Sequence, residues 1–204
     1  MMFINGDCMH PITGMPAFPD KFFDLAIVDP PYGGGQHFNF RFDEVYENHA
    51  PSKEYFDELF RVSKNQIIWG GNYFTDKIPV SRCWLVWQKG NPLPSFSDFE
   101  LAWTSFDKVS INVKIDSYGF RHGDKVGRGE KTIHPTQKPV VLYQWLLDKF
   151  AQPGFKILDT HVGSGSSLVA FQENGYEYVG YEINSDYYKM AKKRIDKTQK
   201  RIVF

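Results

Sequence analysis

The chain has 204 residues, 42% hydrophobic and 17% aromatic, with 24 Lys plus Arg against 24 Asp plus Glu. That length and apolar content predict one domain with a real core and exclude global disorder. Two Cys with no C-x-x-C spacing exclude a disulfide framework, and no apolar run approaches the roughly 18 residues of a membrane span.

The predicted elements alternate between short apolar strands and amphipathic helices. Asp24–Val28 reads as a buried strand that must stop at Asp29-Pro30-Pro31, because consecutive prolines cannot continue a ladder. Ser52 caps a helix running to about Ser63, with Tyr55, Phe56, Leu59 and Phe60 on one face. Gln66–Trp69 is a strand ended by Gly70-Gly71. Cys83–Trp87, Phe99–Trp103 and the alternating Val109–Ile115 read as strands nearer a sheet edge. Residues 117–133 are polar and Gly-rich and predict a loop. Pro139 opens a helix to about Phe150, and Lys156–Leu158 is a strand ending at Asp159. Gly163–Ser167 opens a helix to Asn174, Tyr178–Tyr181 is a strand ending at Glu182, and Asn184 or Ser185 caps the last helix. This order predicts an α/β domain, a mostly parallel sheet covered on both faces, with ligands bound beyond the strand ends at Asp29, Asp159 and Glu182.

Charge is unevenly placed. Residues 1–60 hold ten acids and three bases, residues 105–138 seven bases and four acids, and the tail from Asp186 seven bases and two acids. A neutral whole therefore leaves room for a basic loop against phosphates, while the tail reads as a solvated helical face. The first Lys or Arg is Lys21, so no signal peptide and a reducing, cytoplasmic setting are expected.

Three motifs carry chemistry. Asp159-Thr160-His161-Val162-Gly163-Ser164-Gly165-Ser166 joins a strand to a helix, and glycines there permit close approach of a ligand. Glu182, ending the next strand, suits ribose hydroxyls. Leu168 replaces the third glycine of a dinucleotide fingerprint, and Glu130 precedes Lys131 where a phosphate-binding P-loop needs Gly. Asp29-Pro30-Pro31-Tyr32 presents a carboxylate, a stiff prolyl carbonyl and a flat ring, the set that a planar exocyclic amine needs. His134-Pro135-Thr136-Gln137-Lys138-Pro139 leads into a helix and, alone, is an ordinary helix entry. The six His show no metal-ligand spacing, so no metal is expected.

Together the motifs resemble the S-adenosylmethionine-dependent amino-methyltransferases of DNA. Asp29–Tyr32 is similar to their catalytic motif, Asp159–Ser166 to their cofactor loop and His134–Pro139 to the segment before it. The catalytic motif comes first, as in the circularly permuted β group of adenine-N6 and cytosine-N4 enzymes, and the compact length resembles phage and prophage members. Asn5-Gly6-Asp7-Cys8 and Phe99–Trp103 extend the likeness over most of the chain. His161 departs from the family, which carries Phe there.

The resemblance implies a single Rossmann-like domain over 1–204, with a mostly parallel seven-stranded sheet, an antiparallel edge hairpin and helices on both faces. It divides into a catalytic half (1–105), a short variable target-recognition loop (106–132) and a cofactor-binding half (133–204). The implied catalytic residues are Asp29, Pro30, Pro31 and Tyr32. Asp7, Cys8, Asp29, His134, Thr136, Gln137, Lys138, Asp159, His161, Gly163, Ser164, Gly165, Ser166, Glu182 and Ile183 are implied around S-adenosylmethionine. Read from charge, Arg121, Lys125, Arg128 and Lys131, with Lys138 nearby, are candidates for DNA phosphates; a homodimer is compatible. Asp as the first motif residue is commoner in the adenine group, which favours adenine N6 over cytosine N4; the other readings are transfer to an amine of RNA or protein and a non-catalytic nucleic-acid-binding module that keeps the fold, against which the intact Asp29–Tyr32 motif argues. Cys8 and Cys83 read as buried thiols. No Pro-Cys dipeptide is present, in keeping with direct transfer without a covalent enzyme intermediate.

Overall fold

A computed structural model describes residues 1–33, 49–90, 97–116, 133–134 and 136–202. The strands are β1 (Met2–Asn5), β2 (Phe23–Val28), β3 (Ser63–Trp69), β4 (Trp84–Gln88), β5 (Phe99–Thr104), β6 (Ile111–Lys114), β7 (Lys156–Asp159) and β8 (Glu177–Glu182). The helices are α1 (Lys53–Val62), α2 (Val140–Phe150), α3 (Ser166–Glu173) and α4 (Ser185–Ile202).

One eight-stranded sheet runs β1-β8-β7-β2-β3-β5-β4-β6. β5 pairs antiparallel with both β3 and β4, while the other pairings are parallel. The α/β class and both-face covering agree with expectation, with two differences. β1 is an eighth strand: four residues beside Gly6 and Asp7 give too short a pattern to read, and the strand exists because β8 offers it an edge (Phe3 opposite Gly180). The β4–β5 hairpin is not the edge, because β6 pairs outside it with Leu85 opposite Ile111.

Alternation along β2 sorts the core into two layers. Leu25 and Ile27 pack with Ile67 and Trp69 against α2 and α3 through Leu142, Leu146 and Phe171. Ala26 and Val28 pack on the other face with Ile68 against Phe56 and Leu59 of α1 and Phe74. α1 is helical because Tyr55, Phe56, Leu59 and Val62 fall on one stripe, all buried. Truncating Phe56 to Ala would cost about 3–5 kcal/mol by the usual cavity penalty.

β2 leads through α1 to β3 on one side; β7 leads through α3 to β8 on the other. The two crossover helices therefore cover opposite faces, and the order in which strands are added reverses between the parallel neighbours β2 and β7, which pair with Leu25 opposite Ile157. In open α/β sheets a ligand crevice forms at that reversal, beyond the carboxyl ends of the strands. The residues there are Asp29 and Asp159.

Candidate active site

β2 delivers Asp29 to the crevice, and the two prolines end its ladder there. Asp29 is held at both oxygens. Oδ1 accepts the Tyr32 hydroxyl at 2.8 Å and Oδ2 accepts the Lys138 ammonium at 2.5 Å. Lys138 is buried and also lies 3.0 Å from Glu100 of β5, whose second oxygen meets Lys89 at 2.7 Å. The ammonium sits 5.3 Å from the centre of the Trp69 ring, a cation–π distance.

Tyr32 is packed by design of its neighbours. Gly70 turns with φ +66°, and a Cβ at that position would collide with the Tyr32 ring. Tyr73 lies nearly parallel to Tyr32, centroids 5.0 Å apart and planes 14° apart, and is 59% exposed. The pair forms a flat aromatic step beside Asp29, with Tyr73 facing solvent.

Burial and charge oppose each other around Asp29. Burial pushes its carboxyl up, Lys138 pulls it down and Glu100 adds to the rise, and the net is upward. Burial works against the Lys138 ammonium, but Asp29 and Glu100 outweigh it and hold it above its ordinary range. Burial likewise works against the Glu100 carboxylate, but Lys138 and Lys89 hold it ionised. Of the two carboxyls in the cluster, Asp29 is thus the one with the raised proton affinity. Burial beside Asp29 keeps the Tyr32 phenol protonated, so its hydroxyl donates.

The second loop is built differently. Asp159, ending β7, accepts the His161 main-chain N–H at 2.9 Å and the Ser167 hydroxyl at 2.5 Å, and burial pushes it up to about 7. Glu182, ending β8, accepts the N–H of Gly163 at 2.8 Å and of Asn184 at 2.9 Å, with burial raising its carboxyl. Gly165 begins α3 at φ +80°, and Arg194 of α4 reaches back to the Ser164 carbonyl and the Ser166 hydroxyl, each at 2.9 Å. His161 is pushed down to about 4 by burial, so the imidazole is neutral at pH 7; its Nδ1 lies 2.9 Å from the Thr160 hydroxyl. His134 is buried edge-on to Tyr187 and packs on Gly163, and burial pushes it down to about 4.

The fold gathers most of the expected residues at these two strand ends. Asp7 is exposed, bonded to the Met9 N–H at 2.8 Å, and Ile183 is 71% exposed beside Glu182. Cys8 and Cys83 are buried free thiols, and burial pushes Cys8 to about 12. Thr136 is exposed, and its hydroxyl lies 3.2 Å from His134 Nδ1. Gln137 accepts the Ile133 N–H, while its buried Nε2 has no hydrogen-bond partner among the described residues, as fits a donor reserved for a ligand. Lys138, expected beside the cofactor and near the phosphate-binding loop, is 4% exposed and engaged with two carboxylates, which corrects its placement near a duplex surface. Arg121, Lys125, Arg128 and Lys131 lie outside the described residues.

Sequence reasoning gave no role to Glu100, Lys89, Tyr73 or the Tyr55 hydroxyl. Tyr55 lies on the predicted core stripe, yet its hydroxyl reaches Thr160 at 2.6 Å, tying α1 to the second loop. The signal for it was a Tyr where Phe would fill the core. For Glu100 it was a lone acid inside an apolar strand. Among the described residues no three His, Cys, Asp or Glu side chains are grouped to hold a metal ion.

A sheet with its reversal between a paired-carboxylate loop and an Asp-Pro-Pro-Tyr end defines a Rossmann-like methyltransferase fold. Residues 68–193 match the family model described as DNA methylase, and the chain belongs to that family. Among its relatives, YubD of Escherichia coli (strain K12) is 27% identical over 97% of this chain and 91% of its own. The type II methyltransferase M.HpaI of Haemophilus parainfluenzae is 24% identical over 93% of this chain and 73% of its own. Two solved structures share the fold. The M1.HpyAVI–SAM complex has TM-score 0.64 at 21% identity, covering 95% of this chain and 98% of that one. The cytosine-N4-specific PvuII DNA methyltransferase has TM-score 0.59 at 13% identity, covering 98% and 91%.

Proposed function

We propose that the protein transfers a methyl group from S-adenosylmethionine to the exocyclic N6 amine of adenine in DNA. The observation that carries this reading is Asp29, a carboxylate fixed at the end of a central strand beside a tyrosine ring, in the crevice next to the Asp159–Ser166 loop. Bound S-adenosylmethionine supplies a methyl group on a cationic sulfur. The orphan Nε2 of Gln137, the exposed Ile183 and the Glu182 carboxylate fit the polar and apolar parts of that molecule. Glu182 serves the ribose hydroxyls, and the loop serves the methionine part. The SAM complex of M1.HpyAVI, which shares the fold, supports the assignment.

An aromatic exocyclic amine is a poor nucleophile because its lone pair is delocalised into the ring. Asp29 and the Pro30 carbonyl accept hydrogen bonds from its two N–H groups, which favours a pyramidal nitrogen with its lone pair aimed at the methyl. As the N–C bond forms the S–CH3 bond breaks, S-adenosylhomocysteine leaves, and the surplus proton on nitrogen passes through Asp29 to solvent. Orientation of this kind is worth about 7–11 kcal/mol in favourable cases. The base must leave the duplex stack at a cost of a few kcal/mol. Tyr32 and Tyr73 offer stacking worth about 1–3 kcal/mol per base. Arg121, Lys125, Arg128 and Lys131 serve the phosphates. With zero net charge the salt dependence of DNA binding is expected to be shallow.

The identity of the first motif residue, Asp, supports adenine; the fold shared with the PvuII enzyme makes cytosine N4 the second reading. The test is to incubate the protein with labelled cofactor and unmethylated DNA, then digest and separate the nucleosides. N6-methyladenine is expected. N4-methylcytosine alone would reverse the choice of base, and transfer only to RNA or peptide would overturn the proposal.

A further inference from the structure

We infer that Lys138, anchored by Glu100 and Lys89, is a positioning residue that fixes the plane of the Asp29 carboxylate and keeps it ionised as a hydrogen-bond acceptor. The inference rests on the proposed role of Asp29 but assigns new roles to three other side chains. The geometry is specific. Lys138 comes from the segment before α2, Asp29 from the end of β2, Glu100 from β5 and Lys89 from the residue after β4, and they meet in a row in which Lys138 is buried and the other three are partly buried. The spacing is 2.5 Å from Asp29 to Lys138, 3.0 Å from Lys138 to Glu100 and 2.7 Å from Glu100 to Lys89. Two cations and two carboxylates cancel.

A core built only for stability has little use for such a row. Isolated buried charges are costly, and apolar replacements of a buried ion pair are often neutral or stabilising. A function explains it. Desolvation favours the protonated form of Asp29, and a neutral carboxyl presents a hydroxyl and a weaker acceptor to an amine. An ammonium at Oδ2 opposes that protonation, while the Tyr32 hydroxyl takes Oδ1. The two contacts set the carboxylate plane, and the remaining lone pairs stay free for substrate. Glu100 shares the charge of Lys138 with Asp29, and Lys89 compensates Glu100. The other titratable groups felt at this distance are Asp159, Tyr143 and Tyr55, whose phenols are held protonated by burial.

The arrangement makes an opposite-sign prediction. Removing Lys138 removes a cation from Asp29, so the acid limb of the pH–rate profile moves to higher pH. Removing the charge of Glu100 removes an anion and leaves Lys138 to Asp29, so the limb moves to lower pH. A charge at 4–6 Å moves a carboxyl by about one to three pH units.

The experiment is single-turnover methyl transfer to DNA from pH 5 to 9 for the wild type, Lys138→Met, Lys138→Arg and Glu100→Gln. Calorimetry with S-adenosylhomocysteine runs alongside. Lys138→Met is expected to move the acid limb up by about one pH unit or more, so that its rate falls about tenfold or more at pH values below the wild-type limb, to recover as pH rises, and to bind cofactor within about threefold of wild type. Lys138→Arg restores the limb, and Glu100→Gln shifts it the other way. Cofactor affinity lost with an unmoved limb would make Lys138 a cofactor ligand and overturn the inference, as would both variants shifting in one direction. Should Lys138→Met fail to fold, Glu100→Gln still decides. Carbon-13 titration of the Asp29 carboxyl reads the same displacements without any methyl acceptor. If the wild type methylates no DNA base, the proposed function fails while this titration still tests the row.

Discussion

Three carboxylates reach the crevice, and they are held in two different ways. Asp29 is met by charge and hydroxyl, Lys138 and the Tyr32 phenol. Glu182 is met by two main-chain N–H groups, and Asp159 by one N–H and one serine hydroxyl. Backbone donors belong to the turn itself, so they fix a carboxylate with no side chain to reorder. An ammonium on a long stem is adjustable and carries a full charge, so it sets the protonation of its partner as well as its direction. The first arrangement suits a group that takes part in a reaction, and the second suits a group that holds a ligand still.

The comparison breaks most visibly at Asp29. Asp29→Ala removes the acceptor and leaves Lys138 facing Glu100 alone. Single-turnover transfer should fall by about 10²–10³-fold or more, the scale of a lost transition-state partner, while cofactor binding by calorimetry stays within about threefold. Wild-type rates in this variant would remove Asp29 from the chemistry and end the proposed mechanism.

The aromatic step comes next. Tyr32→Ala and Tyr73→Ala should each weaken base capture by about 5–150-fold, the equivalent of 1–3 kcal/mol of stacking. Binding to duplexes with 2-aminopurine at the target position measures this through its fluorescence. Tyr73→Phe should bind like the wild type, because the stacking face of the ring survives. A Tyr73→Ala variant with unchanged capture would reduce Tyr73 to a surface ring that happens to rest on Tyr32.

On the other loop the expected effect is smaller. Glu182→Gln keeps the shape but exchanges a charge-assisted bond for a neutral one, worth roughly a factor of ten. The dissociation constant for S-adenosylhomocysteine should rise by that factor, and the rate constant at saturating cofactor should hold. A fall in the rate constant with affinity unchanged would move Glu182 from ligand binding to the chemistry.

Much of this was legible in the chain. Asp29, Asp159 and Glu182 each end an apolar run, and the alternation of elements places such ends together. Gly165 and Pro139 mark helix starts for steric reasons that act locally. What stayed hidden depends on non-local pairing. β1 has no pattern of its own and exists only against β8. Lys138 reads as one more base in a basic segment, and only the placement of β5 beside β3 brings Glu100 beneath it. Tyr73 follows two glycines in what reads as a turn, and its stacking on Tyr32 needs the meeting of two loops. Charge counted along the chain gave the wrong neighbour for Lys138, because burial and partner choice are decided by the sheet.

The smallest effect is the most discriminating for the idea that main chain holds the second site. Asn184 does two jobs with different atoms. Its side-chain oxygen accepts the N–H of Asp186 at 2.9 Å and of Tyr187 at 3.1 Å, capping α4, while its main-chain N–H meets Glu182 at 2.9 Å. Asn184→Ala deletes the first and keeps the second. A lost cap costs about 1 kcal/mol, which for a chain of this size lowers the melting temperature by about 2–4 °C. Calorimetric unfolding should record that drop, and titration with S-adenosylhomocysteine should give an unaltered dissociation constant. A tenfold loss of affinity in this variant would mean that the capped helix end, and not the turn's own backbone, holds Glu182 in place, and the division between the two sites would have to be redrawn.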